Sequence, residues 1–298
     1  MIVTRLIGGL GNQMFQLAFG KVLSIKNKTK LKLDTHALEE NNASTNSFTA
    51  REYELSIFVG ETLQIANNRD IEVFYNKKPQ IIKRLKKYFN KYIRNVRILV
   101  DDNSPHQKLL IKSKYIYLNG YWQSEFYFSE YKTEIFELFQ FPSLPVEYTR
   151  IQFEISQCNS VSIHIRRGDY ASSSYINSIH GLLPMSYYKS SINTIQDLYP
   201  ESHFFIFSDD IEWVKLNFDS NHKQTIVDTS RSNEAHIDMQ LMSLCKHNII
   251  ANSSYSWWAA WLNQNENKTV IAPKKWFADN KKNDTQTKHI IPRAWIQK

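Results

Sequence analysis

The sequence predicts an α/β protein whose second half is a parallel sheet with helices on both faces. Two observations carry this. Short apolar strands, among them VSIHI, HFFIF, NIIA and TVIA, alternate with helical stretches from about residue 160 onward. The polar residues able to do chemistry, Arg166, Asp209 and Ser253, fall where those strands end. That is the edge at which such sheets hold ligands.

In chain order, a strand over 2–7 leads through a glycine turn into a helix over about 12–25, and a second strand covers 30–34. Residues 39–50 are rich in Asn, Ser and Thr and read as a loop. Within 77–97, Ile81, Ile82, Leu85, Tyr88, Phe89 and Tyr92 recur at helical spacing. The aromatic stretch YIYLNGYWQSEFYF that follows has no clear period. After the proline-bearing connection FPSLPVEY come a strand at 161–167, a helix at 184–199, a strand at 203–210, a short helix from Ile211 and a strand at 224–228. Ile237, Leu241, Leu244 and Cys245 then fall on one helical face. A strand at 248–252, a helix at 254–262 and a strand at 268–273 close the pattern. Two domains are expected, 1–155 and 156–298.

Apolar residues make up 42% and charged residues 22% of the 298, the balance of a soluble globular protein. The 13% of aromatics permits sugar binding but also serves as plain core. MIVTRLIGG enters a strand with no charged and then long apolar leader, so no signal peptide is expected. No apolar run approaches the roughly 20 residues that span a bilayer. Cys158 and Cys245 are too few for a disulfide framework or a cysteine metal site, so a cytoplasmic location is expected. The net charge of +8 is uneven: 77–97 carries nine Lys and Arg and no acid. Such a segment suits an anionic membrane surface, a nucleic acid, or a solvated helix packed on its apolar stripe.

Three motifs carry candidate chemistry. In GGLGNQMFQ (8–16), glycines including Gly11 let backbone N–H groups approach a ligand at a helix start, beside Asn12 and Gln13. A dinucleotide fingerprint would need glycine where Met14 stands, although Asp34 would suit a ribose. A dinucleotide-dependent oxidoreductase is therefore one alternative. A basic nucleic-acid-binding protein is another, with charge but no motif behind it. In SIHIRRGDY (162–170), strand alternation should put His164 and Arg166 on one side and Arg167 on the other. An arginine fork there suits a diphosphate, while an Arg167–Asp169 ion pair is the structural alternative. In ANSSYSWWAAWL (251–262), Asn252, Ser253 and Ser254 sit at a helix start, more polar groups than one cap needs. The three tryptophans behind them share helical spacing and read as core. No Asp-x-Asp and no His-rich ligand spacing occurs, so no metal site is expected. The adjacent Asp209 and Asp210 should point to different sides.

GGLGNQMFQ, HIRRGDY and NSSYSWWAAWL, in this order and spacing, resemble the α1,2-fucosyltransferase family over nearly the whole chain. The resemblance implies a GT-B-like architecture, two Rossmann-type domains facing a central cleft, the first on the acceptor side and the second binding GDP-fucose. It implies transfer of fucose, with inversion and without a metal cofactor, to the 2-hydroxyl of a terminal galactose. The acceptor would be a free glycan or a lipid-linked one, as in bacterial O-antigen assembly, where 77–97 could rest on the inner face of the cytoplasmic membrane. By the same resemblance Arg166 holds the β-phosphate, His164 and Asp238 recognise guanine, Ser254 contacts phosphate and Asp209 belongs to the donor site. Asp169 is the first candidate for the acceptor base, and Asn12 and Gln13 are expected to face the sugar.

Overall fold

The computed structural model describes residues 1–40, 45, 49–75, 95–102, 111–218, 221–229, 236–286 and 289–298. The chain divides into two compact units, 1–44 with 50–140, and 45–49 with 141–298.

In the first unit, β1 (Ile2–Arg5) leads into α1 (Leu10–Lys26), β2 (Leu31–Asp34), and the short helices α2 (His36–Glu40) and α3 (Asn68–Glu72). β3 (Val96–Val100), β4 (Tyr115–Asn119) and α4 (Lys132–Leu138) complete it. Its four described strands are all parallel, in the order β2-β1-β4-β3. α1 is buried almost all round, Met14, Phe15, Leu17, Phe19, Val22 and Leu23 having no exposed surface, so it is a core helix rather than an amphipathic one. The aromatic stretch without a period packs against it. The Phe19 ring lies 4.9 Å from that of Trp122 and 4.4 Å from that of Tyr127. Those aromatics follow tertiary contacts and not a local repeat, which is why the sequence shows no pattern there.

The predicted basic helix at 77–97 falls for the most part outside the described residues. Its last two residues differ from expectation: Val96 and Arg97 open β3, in parallel register with Tyr115 and Ile116 of β4. Val96 and Leu99 are buried, and that burial favours the strand.

The longer run of the second unit starts at Phe141, where the sequence reading places its boundary at 156, and its α5 (Thr149–Ser156) packs on the next strand, β5 (Asn159–Ile165). α6 (Gly168–Ser172), α7 (Ser174–His180), α8 (Met185–Leu198), β6 (Ser202–Ser208) and α9 (Ile211–Asn217) follow. Then come β7 (Gln224–Ile226), α10 (His236–Leu244), β8 (His247–Ile249), α11 (Ser254–Leu262), β9 (Val270–Ala272), α12 (Asn280–Gln286) and β10 (Ile296–Gln297). The six described strands are all parallel, ordered β10-β9-β8-β5-β6-β7. One face of β5 presents Val161, Ile163 and Ile165 to a core shared with Tyr188, Ile192 and Ile195 of α8 and Val214 of α9. The opposite face carries Ser162, whose hydroxyl accepts from Asn248 Nδ2 at 2.7 Å, while the same amide donates to the Met242 carbonyl of α10 at 2.8 Å. Helices thus cover both faces, as the alternation predicted.

From β5 the chain adds β6 and β7 on one side, then returns to add β8, β9 and β10 on the other. The order reverses between β5 and β8. A crevice at the carboxyl ends of those two strands is where an open parallel sheet binds ligand.

Candidate active site

β5 ends at Ile165, so Arg166 and Arg167 emerge just beyond its carboxyl edge. Their side chains take different partners. Arg166 Nη2 meets Asp169 Oδ1 at 2.6 Å and Nη1 meets Asp209 Oδ2 at 2.5 Å. Arg167 Nε meets Asp210 Oδ2 at 3.0 Å, and its guanidinium lies 3.9 Å over the Trp213 ring. The Arg167–Asp169 pair weighed as the structural alternative is not formed: Asp169 turns to Arg166, and Arg167 goes to Asp210, whose side chain also caps α9 by accepting from Trp213 N. Asp209 accepts from Arg167 N at 2.7 Å as well, tying the end of β6 to that of β5. Gly168 is required here, since a Cβ would stand 2.4 Å from Asp209 Oδ2. Burial works against the Arg166 charge, but Asp209 and Asp169 outweigh it and hold its pKa above the ordinary arginine value. Two carboxylates fix the plane of the guanidinium and leave part of its five-donor fork for a ligand.

Tyr170, His180 and Thr49 complete this cluster; the sequence reading takes in Tyr170 as the end of SIHIRRGDY without giving it a role, and does not reach His180 or Thr49. Thr49 Oγ1 donates to Asp169 Oδ2 at 3.2 Å. Arg166 sits 5.3 Å over the Tyr170 ring, and that ring stacks on His180 at 4.8 Å. Burial lowers the His180 pKa, with Asp169 opposing. Tyr170 closes the HIRRGDY motif, whereas His180 lies outside any motif; the turn of α6 and α7 brings the two together.

Beyond β8, Ser253 is the cap of α11, its hydroxyl accepting from Tyr255 N at 3.3 Å. Ser254 opens the helix and is partly exposed. Asn252 is turned inward: its amide donates to the carbonyls of His180, Gly181 and Trp276, and its own carbonyl accepts from Tyr170. Its side chain thus holds the turn, leaving Ser253, Ser254 and the first amides at the helix start. The tryptophans of α11 are buried core, Trp257 and Trp258 having no exposed surface.

His164, in β5, is buried, with no partner for Nδ1. Burial, with Arg166 adding, lowers its pKa to about 3, so the ring is neutral. It faces Tyr255 at 5.7 Å, and the Tyr255 hydroxyl accepts from Met239 N at 2.9 Å. Met239 is the neighbour of Asp238 in the first turn of α10. Burial pushes the Asp238 carboxyl up to about 7, against the Thr229 hydroxyl that donates to it at 2.7 Å; Asp228 and Asp209 push it further up. The structure therefore joins His164 and the helix bearing Asp238 through Tyr255, and gathers Arg166, Asp169, Asp209 and the start of α11 at one edge.

Gly11, Asn12 and Gln13 lie in the first unit. Gln13 is fully buried, its amide donating to the carbonyls of Gly8 and Glu52 at 2.8 and 2.7 Å and its Oε1 accepting from Glu54 N at 3.0 Å. It shapes the loop. Asn12 Oδ1 accepts from Gln123 Nε2 at 2.7 Å. Gly8 has φ +77, and a Cβ there would meet Asn12 Nδ2 at 2.4 Å. Glu54 accepts from Leu10 N at 3.1 Å, so an internal carboxylate already occupies the start of α1. Asp34, the residue a ribose would need, accepts from Tyr117 and His36 instead. Among the described residues no group of three or more His, Cys, Asp or Glu is placed to hold a metal ion.

Two all-parallel α/β units, with an arginine and a helix start meeting at the switch point of the second, define a GT-B-like glycosyltransferase. The chain belongs to glycosyl transferase family 11, whose model matches residues 1–297. It is 34% identical to the O-antigen biosynthesis glycosyltransferase WbnK of Escherichia coli, over 93% of this chain and 95% of that one. An α1,2-colitosyltransferase of Escherichia coli is also 34% identical, over 100% and 98%. The galactoside 2-α-L-fucosyltransferase SEC1 of Bos taurus is 24% identical, over 51% of this chain and 43% of that one. The fold is similar to that of a mutant of Arabidopsis thaliana FUT1 in complex with GDP, at a TM-score of 0.50 and 12% identity over 90% of this chain and 69% of that one.

Proposed function

We propose that this glycosyltransferase moves L-fucose from GDP-fucose to the 2-hydroxyl of a terminal galactose, with inversion and without a metal. The observation that carries the reading is Arg166, fixed by two carboxylates at the reversal of strand order beside the start of α11. The acceptor oxygen attacks C1 of the sugar, the bond from C1 to the β-phosphate oxygen breaks, the acceptor proton passes to a base, and GDP leaves. Charge grows on the β-phosphate as the bond breaks. A preorganised guanidinium and helix-start amides stabilise that charge more in the transition state than in the ground state. The neutral His164 ring and the ionised Asp238 carboxylate take the guanine, which offers a carboxylate two N–H donors along one edge. The bovine and the Escherichia coli relatives support a 1,2-linkage and an O-antigen setting.

A second reading has its own support, the full-length match to a colitosyltransferase. Colitose is fucose without its 3-hydroxyl, so the two donors differ by one polar group. A site that hydrogen-bonds this hydroxyl discriminates strongly against the deoxy sugar, whereas a site that merely accommodates it discriminates by about 100-fold or less.

The test is GDP release in the presence of EDTA, with GDP-fucose and GDP-colitose offered in parallel over a panel of β-galactosides. Acceptor-dependent release from GDP-fucose that survives EDTA is the expected result. Release that EDTA abolishes ends the metal-free reading, and a kcat/KM favouring GDP-colitose replaces the sugar.

A further inference from the structure

The amino edge of the first sheet holds a pocket of about 490 Å3 that the transfer chemistry does not use. It lies at the opposite end of the strands from the glycine loop, where Ile2 pairs with Leu31 and Ile116. Lys28, Lys30, Lys32 and Lys114 line it together with Asn27 and Ser113, and among the described residues no acid does. Lys32 is matched by Asp70 at 2.7 Å. Lys28, Lys30 and Lys114 are exposed, and among the described residues none of the three pairs with a carboxylate.

The backbone around the pocket is built to hold these cations. Asn27 accepts from Ser113 N and donates to the carbonyls of Leu23 and Ile111, locking the end of α1 to the approach of β4. Lys28 follows at φ +48, a left-handed position after a helix end that glycine or asparagine ordinarily fills. A lysine there carries strain that glycine would not. Asn95, the first described residue after 76–94, contacts the lining directly, its carbonyl accepting from Tyr115 N and from the Ser113 hydroxyl. The chain therefore reaches this rim from a run that, by sequence, carries eight basic residues from Lys77 to Arg94 and no acid, interleaved with Ile81, Ile82, Leu85, Tyr88, Phe89 and Tyr92.

We propose that this lysine pocket binds phosphate groups of an anionic lipid surface. Ammonium groups are point-charge phosphate binders, and a concave site of this volume takes a headgroup. Basic residues interleaved with apolar and aromatic ones suit a lipid interface better than a nucleic acid backbone. The inference does not depend on the donor reading.

The experiment is co-sedimentation of the full chain with vesicles of phosphatidylcholine alone and with added phosphatidylglycerol, at low and physiological salt. Wild type is compared with Lys30→Gln/Lys114→Gln, both exposed positions outside the transfer site. Binding to the anionic vesicles is expected to fall about fivefold for each lysine removed, near 25-fold for the pair, and to weaken with salt. Inorganic pyrophosphate should compete. Thermal melting and activity on a soluble acceptor should stay unchanged, showing that the variant is folded and its transfer site intact. Wild-type binding that does not distinguish the two vesicles, or a double variant that binds like wild type, overturns the proposal. Pyrophosphate binding by calorimetry without vesicle binding, or lysine-dependent RNA binding that vesicles do not displace, also overturns the lipid assignment.

Discussion

Arg166 presents at the scale of one residue the problem that the site solves. Its charge is held by Asp169 and Asp209, so removal leaves two half-buried carboxylates without their cation and, on the proposed function, also takes a donor from the leaving diphosphate. Arg166→Ala should lower kcat by roughly 10²–10³ and also lower the melting temperature. Arg166→Lys should recover part of the melting temperature but little of the rate, because one ammonium cannot reproduce a planar fork. A rate loss that lysine fully restores would mean that charge alone suffices. Asp169, the candidate base of the sequence reading, is bound to both Arg166 and Thr49 and is better suited to orienting than to taking a proton. Asp238 gives the pH signature. Its carboxyl, raised by burial to about 7, stabilises the fold fully below the ordinary carboxylate range of about 4, and this contribution is lost as pH rises through 7. Guanine donors prefer the ionised form, so GDP affinity should move the other way, falling by up to about tenfold per unit as pH drops below 7. Calorimetry at pH 6, 7 and 8 reads this, and Asp238→Asn should flatten both dependences. A wild-type affinity that is flat with pH would remove Asp238 from the guanine site.

At the scale of the element, α11 shows what a short helix needs in order to be rigid. Ser253 caps its start, its tryptophans fill the core, and Lys268 donates to the carbonyls of Ala260, Trp261 and Asn263 at its end. A cation on the last carbonyls satisfies orphan acceptors and complements the helix dipole. Lys268→Met should therefore cost about 1–2 kcal/mol by denaturant melt, with kcat/KM nearly unchanged; a neutral result would mean that water serves those carbonyls as well. α11 was legible because periodicity, cap and surplus polar residues all lie within twelve positions. Arg166 and Asp209 were legible because strand ends can be counted. His180 and Thr49 were not, since a turn between two short helices brings the first to Tyr170 and the folding of a distant segment brings the second to Asp169. Asn252 and Gln13 looked like ligand groups because sequence cannot show that buried carbonyls claim their amides. The reversed pairing of the two arginines is a matter of side-chain direction at the end of a strand, which alternation fixes only while the strand continues.

At the scale of the whole molecule, the two units divide their polar edges differently. The second gathers arginine, acids and helix-start amides at the carboxyl edge of its sheet, while the start of α1 in the first is already capped by Glu54. The glycine loop that looked ready for an anion is thus closed by a carboxylate of the chain itself. Burial raises the pKa of that carboxyl, so ionising it is costly there and the capping bond is part of the fold. Placing the donor in the second unit makes a prediction for the full chain that needs no substitution. On addition of GDP, hydrogen exchange should slow in peptides covering 164–170, 236–241 and 252–257, where His164, Arg166, Asp238 and the start of α11 lie. It should stay unchanged in peptides covering 27–33 and 114–117, at the amino edge of the first sheet. A ligand bound at 100 times its dissociation constant stabilises the folded state by about 2.7 kcal/mol, enough to slow opening of the segments it touches by roughly 100-fold. Protection centred instead on 8–16 would put the diphosphate on the glycine loop and require Glu54 to leave the start of α1. Protection at 27–33 would make the lysine pocket a nucleotide site rather than a lipid one, so a single exchange experiment bears on both ends of the first sheet.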